Sequence, residues 1–230
     1  MSVRRKTRRK ILLTAAVVCV LAAGLGFGSL TTFNAQTNNA GNVFAHGTLV
    51  LSNTKQGGAA CLSTGGGSTN TNVNTSCDQL LNLTVKKPGD SGTANLTLRN
   101  VGSINATTFK VFSPACTNAD ASSESYHGTG TPCSLIQLYV QQWSDAGFST
   151  PSACLYGGAT GSTCNFSDAT KTLGAFATAY PSSASGLSIG SGLNAGSSAY
   201  FTIGVQSPSS ADNTYQGRQA TQDFDWYIAQ

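Results

Sequence analysis

The chain has 230 residues, only 10% of them charged, and a formal net charge of +4. Six of its 13 Lys and Arg residues lie within residues 4–10, so that from Phe33 onward seven basic residues stand against nine acidic ones, a net charge of −2. Such a domain lacks the excess of basic side chains that phosphate contacts require, and we expect no nucleic-acid partner.

The basic start is followed by an uncharged stretch over residues 11–30, which fits either a secretory leader or a membrane-spanning helix. Glycines at positions 24, 26 and 28 leave an apolar helix over residues 11–23 only. That helix would rise about 20 Å, which is short of a hydrocarbon core of about 30 Å. The length favours a signal peptide over residues 1–32, cleaved near the bond between Thr32 and Phe33.

Six cysteines lie beyond the leader, which itself contains Cys19. An even number in an exported chain indicates disulfides, and no Cys-x-x-Cys pair argues for a zinc or redox site. Six cysteines allow fifteen connectivities, and the sequence alone does not select one. We prefer the sequential pairing, because each consecutive pair brackets a stretch rich in Gly, Ser, Thr and Asn. The predicted pairs are Cys61 with Cys77, Cys116 with Cys133, and Cys154 with Cys164.

Alternation of apolar and polar residues predicts a series of strands that each bury one face. The apolar positions are Leu83 and Val85; Leu96 and Leu98; Phe109 and Val111; Ile136, Leu138 and Val140; Phe201, Ile203 and Val205; and Phe224, Trp226 and Ile228. Residues 86–92 (KKPGDSG) predict a tight link between two strands. Residues 167–180 fit a short helix. The class is all-β, a sandwich or jelly roll, in a single domain over residues 33–230.

Three long loops are predicted over residues 56–76, 115–132 and 144–163, which are almost free of large apolar side chains. Each contains or adjoins a cysteine pair, and we interpret them as disulfide-stapled loops in preference to a binding surface. Tyr200 and Tyr227 lie on the strand face opposite the predicted core positions, where they are free to contact a partner.

The sequence offers little for catalysis. His46 and His127 are the only histidines, and neither a His-Glu-x-x-His helix nor a Gly-x-Ser-x-Gly elbow is present. His127 lies near Asp120 and Glu124, a set that could form a loose metal site but that is more often solvated. We therefore expect no catalytic residue, no metal and no cofactor.

Four stretches of the sequence, taken in order, resemble a known family. They are GSLTTFNAQTNNAGNVFAHGTLVLS, which includes Phe44, Gly47, Thr48 and Leu49; KPGDSG from Lys87; LRNVGSINA, which includes Asn100, Gly102 and Ser103; and NTYQGRQATQDFDWYIAQ at the end of the chain. Together they resemble the TasA/camelysin family of exported bacterial surface and matrix proteins, whose leaders are removed by a specialised signal peptidase.

This resemblance implies a jelly-roll sandwich and a non-catalytic structural role at the cell surface or in the extracellular (biofilm) matrix, with fibre formation. Thr31 and Thr32 stand where the family usually has Ala before the cleaved bond, and the six loop cysteines are not a family hallmark. A metalloprotease activity like that described for camelysin is an alternative, but the sequence has no zinc motif to which it could be assigned.

The structural hypothesis is polymerisation by strand donation, in which residues 33–44 pair with an open sheet edge of the next subunit. Phe33, Ala35, Val43 and Phe44 are the apolar residues of this donor segment. The partners would be other copies of the chain, the signal peptidase, and other matrix or cell-wall components. The alternative is a binding module, in which the stapled loops and Tyr200 or Tyr227 hold a glycan or a surface protein.

Overall fold

The computed structural model describes residues 45–66, 72–83 and 87–230. The predicted leader, the cleavage site at Thr32 and Phe33, and the donor segment over residues 33–44 lie outside the described residues. The strands are β1 (Leu51–Lys55), β2 (Cys61–Leu62), β3 (Ser91–Asn100), β4 (Thr108–Phe112), β5 (Cys116–Asp120), β6 (Gln137–Trp143), β7 (Pro151–Tyr156), β8 (Gly158–Thr160), β9 (Thr163–Asn165), β10 (Leu187–Ser188), β11 (Ser198–Gln206), β12 (Arg218–Gln222) and β13 (Asp225–Ala229). Two short helices, α1 (Pro132–Leu135) and α2 (Leu173–Ala179), complete a fold that confirms the all-β prediction.

The larger sheet has six antiparallel strands in the order β2-β1-β3-β11-β6-β7. At its centre β11 pairs with β3 from Ser198 to Gln206 and with β6 on its other side. One face of these central strands carries apolar side chains that are at most 1% exposed: Leu96, Leu98, Leu138, Val140, Phe201 and Ile203. These are positions that the alternation predicted, because successive side chains of a strand point to opposite faces of its sheet.

The second layer combines the three-stranded sheet β10-β4-β13 with helix α2. Phe109 of β4 meets Phe201 of the larger sheet edge-on, with ring centroids 5.8 Å apart. Phe176 of α2 packs in the same way against Tyr156 of β7, at 5.0 Å. The side chain of Thr172 caps α2 by accepting a hydrogen bond from the amide of Ala175. The layers therefore pack face to face, and α2 confirms the predicted short helix.

The strand predicted at Leu83 and Val85 is wrong in the part that can be judged, because residues 81–83 are not in a strand and Leu83 is 37% exposed. Alternation of two apolar residues identifies a strand only where the fold buries one face of them, as it does at Leu96 and Leu98. The proline-glycine sequence that follows forms a turn closed by a hydrogen bond from the amide of Asp90 to the carbonyl of Lys87. The carbonyl of Asp90 accepts a hydrogen bond from the amide of Ser207, and the amide of Gly89 donates to the carbonyl of Ser207, so the turn leads into β3 and does not close a hairpin with residues 81–83.

The three predicted loops contain strands that the sequence did not reveal: β2 in the first, β5 in the second, and β7, β8 and the start of β9 in the third. β5 and β12 form a two-stranded ribbon whose side chains are at most partly buried, so neither strand needs an apolar row. β7 is an outer strand that begins at Pro151, a position that tolerates the missing N–H.

From His46 to the end the described residues belong to one compact unit. In the part of the chain that the structure describes, no helix has the length and apolar character needed to cross a membrane. The jelly-roll connectivity implied by the resemblance stays a prediction.

Candidate functional site

Strands β12 and β13 together form an edge of twelve residues, from Arg218 to Ala229, which we call the β12–β13 edge. β12 pairs with β5, and β13 pairs with β4. Among the described strands, none pairs with the other side of β12 or β13. The backbone N–H and C=O groups along that side are therefore available to a further strand.

A break in the strand pairing separates the two halves of this edge. Between the register pair Phe112 and Asp225 and the register pair Cys116 and Gln222, residues 113–115 oppose only residues 223–224. The pairing is interrupted at this point, so that β5–β12 and β4–β13 belong to separate sheets, and Pro114, which has no N–H to contribute to a ladder, is tolerated there. The β12–β13 edge is thus two consecutive strands separated by a short break at residues 223–224.

Every second side chain of the edge points inward: Arg218, Ala220, Gln222, Phe224, Trp226 and Ile228 are partly buried, while the residues between them are mostly exposed. The ring of Trp226 lies 4.9 Å from that of Phe201 and 6.4 Å from that of Phe109. Phe224 lies 5.8 Å from Phe176 of α2. The inward row is therefore fixed to the core, but its members keep some exposure because no described strand covers their free side.

Three polar atoms of this row are buried without a partner. They are Nε2 and Oε1 of Gln222 and Nε1 of Trp226, none of which has a hydrogen-bond partner among the described residues. Leaving a buried polar group unpaired is unfavourable, and native structures contain few such groups. The amide of Gln222 therefore carries an uncompensated desolvation cost within the described part of the chain.

A disulfide lies directly across from Gln222. Its register partner on β5 is Cys116, which is bridged to Cys133 of α1. The amide of Cys133 donates a hydrogen bond of 2.8 Å to Oδ1 of Asn118, also on β5. An open depression beside the break at residues 113–115 is lined by Pro114, Ala115, Cys116, Gly174, Ala177 and Thr178 and contains no titratable side chain. The bridge and hydrogen bond hold the ribbon against α1 at the height of Gln222.

The other two bridges join Cys61 with Cys77 and Cys154 with Cys164, so the structure has the sequential pairing throughout. The first ties β2 to the segment after the 3-10 turn Ser63–Gly66, and the second ties β7 to β9. Nearby, the buried Gln141 accepts a hydrogen bond from the amide of Cys164 at 2.6 Å. Three bridges in one chain indicate an oxidising, extracellular environment.

The loose metal site considered for Asp120, Glu124 and His127 does not form. Asp120 is ion-paired with Arg218 at the start of the β12–β13 edge. Nδ1 of His127 donates to the carbonyl of Gly217 at 2.8 Å. Over residues 45–66, 72–83 and 87–230, no three His, Cys, Asp or Glu side chains are grouped so as to hold a metal ion. His46 is exposed at the beginning of the described chain.

Two acidic residues flank Phe224 on the outward side of the same edge. Burial raises the pKa of Asp225 above its ordinary value, and the neighbouring carboxylate of Asp223 adds to the rise. Tyr227, on the same face of β13, is 38% exposed. The folded chain therefore holds the proton of Asp225 more tightly than the unfolded chain does, while Tyr227 is accessible as predicted.

The outer face of the larger sheet carries an aromatic cluster around Tyr200, which is half-buried. Tyr200 is the register partner of Trp143, and Phe148 packs edge-on against it at 6.1 Å. Nε1 of Trp143 donates to Oγ1 of Thr202 at 2.7 Å. Phe148 has a left-handed backbone with φ of 55°, in a turn whose Asp145 carboxylate accepts backbone hydrogen bonds that lower its pKa. Tyr200 is thus held by neighbouring aromatic rings and less free than predicted.

Sequence reasoning singled out Phe224, Trp226 and Ile228 but missed Gln222. The signal was present, because the same alternation continues back through Gln222 and Ala220. A polar residue in an inward position interrupts an apolar pattern and so ends a prediction based on hydrophobicity. The donor residues Phe33, Ala35, Val43 and Phe44 lie outside the described chain, and their prediction stands untested.

Comparison of the chain with protein-family models gives no match, and comparison with curated protein sequences gives none either.

Proposed function

We propose that this chain is an exported structural protein of the bacterial cell surface or extracellular matrix, and that copies assemble into fibres by strand donation. Residues 33–44 of one copy would add a strand to the β12–β13 edge of the next. The observation that carries the proposal is the edge itself, which no described strand covers over either segment and which is backed by a half-buried, mostly apolar row.

Backbone hydrogen bonds would supply most of the affinity of such a contact, and pockets for alternate side chains would supply its specificity. The free sides of Trp226 and Ile228 offer apolar contacts next to the open backbone. Covering them would remove apolar surface from water, which stabilises the assembly by about 25 cal/mol per Å². The same edge left open is the kind of strand that invites association.

The proposed donor is suited to this edge in length and in charge. Residues 33–44 number twelve, as does the edge, and none of them is charged. The inward row of the edge is also uncharged except for Arg218, whose guanidinium is paired with Asp120. Because the donor and acceptor belong to the same kind of chain, each copy has one of each and the contact is head-to-tail. Such a contact propagates into an open filament.

Deletion of residues 33–40 from the chain that begins at Phe33 tests this proposal. We expect negative-stain microscopy to show filaments of the undeleted chain and monomers of the deleted one, with unchanged thermal unfolding of the folded unit. A chain carrying Tyr227→Ala, which alters the exposed outward face of the same edge, serves as the matched control and should still form filaments. Filaments of unchanged length after the deletion would show that these residues are not the donor.

The second candidate function is a glycan-binding module, favoured by the aromatic cluster of Trp143, Phe148 and Tyr200 on the outer sheet face. Aromatic rings offer large contact area at little entropic cost, and the hydroxyl of Tyr200 adds a polar group. This function predicts saturable binding of oligosaccharides by the monomer, which Tyr200→Ala abolishes, without filaments. Titration calorimetry with cell-wall oligosaccharides distinguishes it from strand donation.

A further inference from the structure

We propose that the outer face of the larger sheet binds an acidic polysaccharide, a chain of sugars that carries carboxylate groups. The inference rests on the second candidate function, glycan binding, and names the class of glycan. It starts from the same aromatic cluster and adds to it a chain of hydrogen bonds and an arginine. This face shares no residue with the β12–β13 edge.

A row of side chains crosses the outer face at right angles to the strands. Its members are successive register partners on β6, β11, β3 and β1, and all are partly exposed: Trp143, Tyr200, Thr97 and Thr54. Because neighbouring strands lie about 4.8 Å apart, the row spans about 14 Å. Phe148 adds a third ring beside Tyr200. A linear glycan along this row would meet aromatic surface at one end and hydroxyl groups at the other.

A chain of hydrogen bonds runs beside this row and fixes its aromatic end. Nε1 of Trp143 donates to Oγ1 of Thr202, which in turn donates to Oδ1 of Asn95. Nδ2 of Asn95 donates to Oε1 of Gln56 at 3.0 Å. Thr202, in the middle of the chain, is only 5% exposed. The indole and the two amide side chains are therefore held in place before a ligand arrives, which lowers the cost of ordering them on binding.

Arg99 gives the outer face a positive charge. Its register partners on β1 and β11 are both serines, and Tyr200 is its diagonal neighbour on β11. Within the described residues, the one ion pair joins Arg218 and Asp120, so no carboxylate there neutralises Arg99. Nε of Arg99 donates to the carbonyl of Gly196 at 3.3 Å, which orients the guanidinium. The exposed guanidinium has further N–H groups to offer a ligand.

This charge selects the kind of glycan. A guanidinium can bind a carboxylate through two parallel N–H bonds, which a single sugar hydroxyl does not match. The acidic residue of the aromatic cluster, Asp145, accepts hydrogen bonds from the backbone amides of Gly147 and Thr150, so its charge is already compensated. An unpaired arginine beside fixed aromatic rings therefore favours a sugar chain with carboxylates over a neutral one.

Titration calorimetry with polygalacturonate and with its methyl ester tests the charge alone, because the two polymers have the same sugar backbone. We expect the chain to bind the acid form about tenfold more tightly than the ester at low salt. Arg99→Gln should lower the affinity for the acid form to that for the ester. Lys87→Gln removes the same charge from an exposed turn and should keep the preference. Equal loss of the preference in both variants would mean general charge attraction and overturn the proposal.

A second pair of variants tests the chain of hydrogen bonds. Thr202→Val removes the hydroxyl between Trp143 and Asn95, and should weaken binding of both polymers by about tenfold. Thr202→Ser keeps the hydroxyl and should bind both polymers normally. Circular dichroism melting identifies the temperatures at which each variant is folded. Normal binding by folded Thr202→Val would contradict the role given to this chain of hydrogen bonds.

The outcomes separate this inference from the function on which it rests. Saturable binding of acid form and ester with equal affinity would leave glycan binding standing and overturn the acidic class. Absence of binding to polygalacturonate, to alginate as a second uronic acid polymer, and to the esters of both would overturn glycan binding and the inference together. A preference for the acid form that disappears with Arg99→Gln and survives Lys87→Gln supports the inference.

Discussion

Two of the disulfides close loops of nearly equal size at different places in the fold. Cys61 and Cys77 are 16 residues apart at the outer strand β2, and Cys116 and Cys133 are 17 apart beside the β12–β13 edge. Replacing each pair by Ala in turn gives two variants that lose the same kind of constraint. Only the Cys116 and Cys133 variant loses this constraint next to Gln222.

The loss of stability can be worked from the loop sizes. The chain-entropy model gives about 3 kcal/mol for a loop of either length. In a domain of this size 1 kcal/mol shifts the unfolding temperature by about 2–4 °C, so each variant should unfold about 6–12 °C lower. Because Cys133 is 6% exposed, its replacement adds a small packing loss to the entropic one.

Filament growth should separate the two variants. The Cys116 and Cys133 variant releases the strand opposite Gln222 and should elongate more slowly, while the Cys61 and Cys77 variant should elongate normally. Circular dichroism melting gives the stability, and light scattering with microscopy gives elongation, at a temperature at which both variants are folded. Equal loss of elongation in both would refute the assignment of assembly to the β12–β13 edge. An unchanged unfolding temperature would refute the entropic reasoning.

Other parts of the fold give further predictions. Phe201→Ala removes a fully buried ring that packs on the second layer, and should destabilise the chain by about 3–5 kcal/mol in urea unfolding. Gly204→Ala places a methyl group against the ring of Tyr139, and overpacking there should lower stability by about 1–3 kcal/mol in the same assay. The raised pKa of Asp225 makes the folded chain bind its proton more tightly than the unfolded chain, so stability falls as pH rises from the ordinary value of 3.8 to the raised one. Asp225→Asn should remove that fall and be the more stable chain at neutral pH, as melting curves from pH 3 to 7 would show; an unchanged pH dependence would contradict the cause given.

The strands that cross the core could be predicted because one of their faces is buried. Leu96, Phe109 and Ile203 stand in alternating patterns. Each lies in a strand, and each is at most 1% exposed. The disulfide pairing could also be predicted from the sequence, because each bridge closes a short segment rich in small and polar residues. These features depend on neighbours in sequence or on the period of a strand.

What could not be predicted depends on contacts without an apolar pattern. β5 and β12 stabilise each other through backbone pairing and the Asp120–Arg218 ion pair. Neither interaction produces an alternating apolar pattern in the sequence. The amide of Gln222 is buried with no hydrogen-bond partner among the described residues, and a sequence does not tell which polar residue the fold encloses. Leu83 is the converse case, because its alternation with Val85 matches a strand while Leu83 is 37% exposed and lies outside any strand.

Strand donation to the β12–β13 edge can be tested most directly by cross-linking between copies. Filaments are grown from a mixture of ¹⁴N and ¹⁵N chains, each with a photoreactive residue at position 33. They are then irradiated and digested, and the cross-linked peptides are identified by mass spectrometry. The account predicts mixed-isotope cross-links from position 33 to residues of the β12–β13 edge. Cross-links confined to one isotope, or mixed-isotope cross-links that lead to β2 or β7, would contradict it.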